Sequence, residues 1–198
     1  MKITKLTLFV FSILFSQISN AHPGHGDYPS LMSGLMHPFS GMDHLLVIFL
    51  VGFWSACCLK KIWIGPLAFM LGMVFGVLLS LASVSITWLE WAISLSVVFA
   101  GVFTILRKKI DPHLSLYLLS IFGIFHGLAH GVVLNTMQMN FLSASVQDLV
   151  GLLLATGMLH LLGVGVAKVS NASLPMISKG TGVISFTYGL LLIFKLIE

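Results

Sequence analysis

The chain has 198 residues, of which 58% are hydrophobic and only 8% charged, and its mean hydropathy is +1.06. A soluble domain carries about 25% charged residues, so this composition excludes one and specifies an all-α, polytopic membrane protein. The formal net charge of +4 does not point to nucleic acid, because Lys and Arg lie at the ends of apolar segments, where they encode topology.

The first element reads as a targeting segment. Lys2 and Lys5 precede an apolar core from Leu6 to Ile18, and Ser19-Asn20-Ala21 supplies small residues at the positions a signal peptidase reads. The core is short for a span of ~20 residues. Residues 1–21 are therefore expected to be a cleaved signal peptide, and residues 22–38 a periplasmic N-terminal segment that begins His22-Pro23-Gly24-His25.

Residues 39–198 read as one transmembrane domain of six helices. The apolar segments are Phe39 to Leu59, Ile62 to Ala82, Ile86 to Leu106, His113 to Leu134, Val146 to Ala167 and Gly180 to Ile197. Each is near the ~20 residues that cross a ~30 Å hydrocarbon core. Lys60 and Lys61 follow the first, Arg107, Lys108 and Lys109 the third, and Lys168 and Lys179 the fifth. The two intervening connections carry no Lys or Arg. This alternation predicts an N-out/C-out protein of the bacterial inner membrane.

Ionisable groups interrupt these apolar runs. With that topology, His37, Asp43 and His44 lie at the outer end of the first helix, Glu90 in the outer turns of the third, and His126 and His130 in the outer half of the fourth. A charge at mid-bilayer costs roughly 2.5–3.5 kcal/mol even on insertion scales, so such groups mark function. His126 and His130 are four apart and project from one helix face, a spacing that suits capture of one ion. His37-Pro38 reads as a helix start, because Pro is tolerated in the first turn. Asp43 then lies near a helix N-terminus, where the dipole favours negative charge.

Gly123, Gly127 and Gly131 form a small-residue stripe on the fourth helix, and Gly72 and Gly76 form another on the second. Such stripes let backbones approach closely in lipid. His160 falls toward the inner half of the fifth helix and reads as a hydrogen-bonded packing residue. Asp148 reads as the cap of that helix. His22 and His25 are candidate metal collectors. Cys57-Cys58 lies on the reducing side and receives no function.

These residues resemble the HupE/UreJ family of bacterial nickel/cobalt permeases. His37-Pro38-Phe39 with Gly41, Asp43, His44 and Leu45 is similar to the family's HP-x-x-G-x-DH motif. Phe125-His126-Gly127 with Ala129, His130 and Gly131 is similar to FHG-x-AHG. Glu90 with Ser94 and Ser96, Phe69 in the second helix, and the start His22-Pro23-Gly24-His25 add to the likeness, which covers the mature chain. One position departs: Val133 stands where the family's fourth-helix motif usually carries Glu.

The resemblance implies six membrane helices and secondary, ATP-independent transport of nickel or cobalt. The expected metal site is His37, Asp43, His44, Glu90, His126 and His130, with His22 and His25 outside it. No enzymatic activity and no permanent cofactor are expected; Ni2+ or Co2+ would bind transiently. The expected partners are the divalent ion and the lipid bilayer, with no nucleic acid. The sequence contains no GxxxxGK[ST] nucleotide site. Two other classes stay open from the residues alone. One is a membrane redox protein holding haem or di-iron on His. The other is a copper-handling protein using Met32, Met36, Met42, Met137 and Met139, since thioethers select Cu(I).

Overall fold

A computed structural model describes residues 29–107, 110–136 and 141–198. The expected signal peptide, His22 and His25 lie outside the described residues. The described residues form seven α-helices: α1 (Leu31–Ser40), α2 (Met42–Cys58), α3 (Ile64–Leu81), α4 (Leu89–Leu106), α5 (Pro112–Thr136), α6 (Phe141–Val169) and α7 (Leu174–Lys195). A 3-10 turn, Asn171–Ser173, joins the last two. Five of the helices, α3 to α7, are long and apolar enough to cross a membrane. The pair α1 and α2 turns through 89° at Gly41 and makes a sixth when taken as one broken span.

That broken span corrects the expected start of the first helix. Helix begins at Leu31, where Ser30 and Ser33 cap each other's backbone N–H groups, and not at Phe39. His37-Pro38 is not a helix start. Both residues sit in the closing turns of α1, and the chain breaks three residues later, where Gly41 is extended at φ −124°, ψ 129°. Ser40 Oγ–H donates to the His37 carbonyl at 2.6 Å, occupying one of the carbonyls that a helix end leaves open. The last helix also starts earlier than its apolar run, at Leu174 and not Gly180.

Lipid offers little hydrophobic drive between helices, so close backbone packing and interhelical hydrogen bonds hold the bundle. α3 and α5 pair along the two glycine stripes. A Cβ added at Gly72 or Gly76 would strike the carbonyls of Ser120 and Ile124. One added at Gly123 or Gly127 would strike those of Phe69 and Met73. The same device recurs between α2 and α6, where Gly52 faces the His160 carbonyl and Gly163 faces that of Phe49.

α1 lies on α6 in a similar way, through Gly34 and Gly151, and Ser33 Oγ–H donates to Asp148 Oδ1 at 2.6 Å. Asp148 therefore does not cap α6, which starts seven residues earlier; it pins α1. α4 pairs with α7, where Ser185 Oγ–H donates to the Val97 carbonyl at 2.8 Å and Ser178 Oγ–H to that of Thr104. α2 sits at the centre and touches every other helix. Its residues Leu45 to Ser55 form an unbroken buried run.

Candidate metal centre

Three helices bring their histidines to one place. The turn at Gly41 folds the end of α1 over the start of α2, and α5 passes alongside. The rings of His37 and His130 lie 4.3 Å apart between centroids, and that of His44 lies 5.7 Å from His37 and 5.2 Å from His130. One nitrogen from each of His37, His44 and His130 falls within 4.8 Å of the other two. His126, one turn from His130, places its ring 4.8 Å from His44.

Gly41 has a specific reason to be glycine. The carboxylate oxygen Oδ1 of Asp43 occupies the space a Cβ would take there. From that position it lies 3.1 Å from Nδ1 of His44. A carboxylate only accepts, so Nδ1 of a neutral His44 carries the proton and Nε2 carries the lone pair. That Nε2 is buried and has no hydrogen-bond partner among the described residues.

His126 is aimed by the same logic from the opposite side. Ser96, on α4, gives its hydroxyl proton to the Ile93 carbonyl at 2.6 Å. At 2.9 Å from Nε2 of His126, its oxygen therefore accepts. The proton of His126 lies on Nε2, and Nδ1, buried and without a partner among the described residues, carries the lone pair. His126 is 1% exposed and His130 6%, so these nitrogens compete little with water.

Unsatisfied nitrogens at this depth cost about 1–3 kcal/mol each. A metal ion would satisfy them: imidazole is a ligand for nickel, zinc, copper and iron, and the hydrogen bond on the second ring nitrogen fixes which atom ligates. Asp43 and Ser96 fill that orienting place here.

The structure thus gathers His37, Asp43, His44, His126 and His130. It does not bring Glu90 to them: this residue opens α4, is exposed, and its carbonyl accepts from Ser94 Oγ at 2.8 Å. Of the methionines, Met32 and Met36 are exposed, at 61% and 56%. Val133 lies in α5, one turn beyond His130. Ser96 and Gly41 are the contributors that the residues alone left without a role. A serine thirty residues from its histidine gives no local signal.

Compared with known proteins, residues 9–192 match the family described as HupE / UreJ protein. The chain is also 36% identical over 171 residues to Protein HupE of Rhizobium leguminosarum bv. viciae, covering 85% of this chain and 86% of that one. The chain belongs to the HupE/UreJ family. HupE/UreJ proteins are known as related to nickel and cobalt transport, and the family is one of transporters. His37, His44, His126 and His130, on which the sequence resemblance is drawn, are the residues that converge here. No solved structure matches the chain.

Proposed function

We propose that this HupE/UreJ protein is a secondary permease for a divalent transition metal, nickel or cobalt, in the bacterial inner membrane. Residues 1–21 act as a cleaved signal peptide and the six spans run N-out/C-out, so the histidine cluster opens to the periplasm. The observation that carries the reading is the convergence of His37, His44 and His130 within 4.8 Å. Membership of a nickel- and cobalt-related family supports it.

A hydrated dication arrives at the outer face, collected by His22 and His25. It exchanges water for the imidazoles of His37, His44 and His130, with His126 next in line. Asp43 supplies negative charge and holds the His44 tautomer. The ion is cargo and binds transiently; there is no permanent cofactor. An inside-negative potential contributes about 2.3 kcal/mol per charge per 100 mV, and about twice that for a dication. Inward movement therefore needs no nucleotide.

The ring contacts favour an ion over haem. Imidazoles that meet edge to face at 4.3 Å leave no slot for a macrocycle between them. The test is radiometal accumulation in cells carrying wild type, Asp43→Ala or His130→Ala at equal membrane levels. Both variants should lose uptake. Uptake at wild-type rates in both would refute the site.

A further inference from the structure

His160 is the buried histidine that the cluster does not use. It is 1% exposed, and both ring nitrogens lack a hydrogen-bond partner among the described residues. An imidazole always has at least one N–H, so a purely packed His160 leaves a buried donor and a buried acceptor unmet, at about 1–3 kcal/mol each. A leucine would fill the space at no such cost. Thr156, four residues earlier on the same face of α6, also has a fully buried and unpartnered Oγ1.

The position of His160 is as informative as its burial. Phe69 stands between it and the cluster. The phenyl ring lies 5.5 Å from the His126 ring and 5.7 Å from the His160 ring, and Phe69 is itself fully buried. His160 is twelve residues along α6 from Asp148, so about 18 Å from the α1 docking point at 1.5 Å per residue. Ala167 and Lys168 lie two turns further on. They line a cavity of about 500 Å3 with Ala56, Cys57 and Arg107 at the end of the bundle away from the cluster. The α2–α6 glycine contact fixes His160 in depth, because Gly52 sits against its own carbonyl.

The geometry points to His160 as a second, internal ligand for the same divalent cation, taking it from His126 past the Phe69 ring and releasing it toward the cavity at the Lys168 end. This deepens the permease reading and rests on it. Between His126 and that cavity, His160 is the one buried imidazole among the described residues. A dication crossing that stretch without a donor would meet apolar groups such as Phe69, Val51 and Leu159. The uncompensated charge would be expelled. One imidazole with a threonine hydroxyl nearby makes a weak site, which suits a transit ligand that must let go.

The test uses full-length protein in proteoliposomes enclosing a metal-sensitive dye, with nickel or cobalt outside. Equilibrium dialysis on the same preparations reads binding at the cluster. His160→Leu should keep the tight binding of the cluster and lose only the weak internal site, and its influx should fall roughly tenfold or more, the scale on which lost metal-site partners are felt. His160→Cys should regain influx and shift it toward softer ions such as zinc and cadmium, because thiolate is the softer donor.

Wild-type influx in His160→Leu would overturn the assignment and leave the outer site standing. Equal loss in the Leu and Cys variants, with cluster binding intact, would make His160 a shape element and overturn it too. So would failure of both variants to insert. Wild-type protein that binds metal but passes none would remove the permease reading and this ligand together.

Discussion

Replacing Ser96 with Ala isolates how His126 is aimed. Ser96 Oγ hands its proton to Ile93 at 2.6 Å and accepts from His126 Nε2 at 2.9 Å. Alanine removes that acceptor and nothing else of size. The stranded N–H is 1% exposed, which costs about 1–3 kcal/mol of stability unless the imidazole rotates or moves its proton. Either escape spoils the Nδ1 lone pair. Losing an orienting partner typically lowers metal affinity by roughly 10–100-fold, or about 1.4–2.8 kcal/mol. Equilibrium dialysis with radiolabelled nickel or cobalt on protein in nanodiscs reads that change directly. Ser94→Ala is the control, since its hydroxyl only donates back to Glu90 on its own helix. A Ser96→Ala affinity within twofold of wild type, or an equal loss in Ser94→Ala, would refute the tautomer argument.

Three further outcomes are expected. Asp43→Asn keeps the size but can donate to Nδ1 of His44, driving the ring proton to Nε2; metal affinity should fall roughly 10–100-fold with insertion unchanged, as dialysis and membrane fractionation would report. Gly76→Leu places a side chain where the Ile124 carbonyl lies and forces α3 from α5, a cost of about 1–3 kcal/mol or more. Its melting temperature in detergent should drop, whereas Gly157→Leu, with nothing within 4 Å of its Cβ, should melt as wild type. Asp148→Ala removes the 2.6 Å acceptor of Ser33 and with it about 1.5–3 kcal/mol that holds α1 on α6. Faster amide hydrogen exchange across Leu31–Ser40 and weaker metal binding should follow together.

Much of the architecture is written locally. A run of about twenty apolar residues with Lys or Arg at alternate connections is a span, and the glycines of α3 and α5 announce the face that packs. The two histidine motifs are legible because each is contiguous. The 89° turn at Gly41 was not, since hydropathy is blind to direction and Pro38 misled the reading toward a helix start. The Ser30/Ser33 cap escaped because serine stands where a capping box usually has Glu or Gln. Asp148 resembles a cap because α6 begins five residues before the apolar stretch that opens at Val146. Ser96 acts on His126 across thirty positions, and Phe69 reaches both His126 and His160 from a third helix. Contacts of that kind are set by helix rotation in the bundle, which periodicity within one helix does not specify.

The proposed permease depends on imidazoles from α1, α2 and α5 holding one dication. Anomalous diffraction at the nickel or cobalt edge, from crystals grown with the metal, tests it most directly. A single strong peak bonded to His37, His44 and His130, with His126 beside it as the fourth imidazole, is expected. A metal-loaded crystal with its peak elsewhere, and these three rings in contact only with one another, would contradict it.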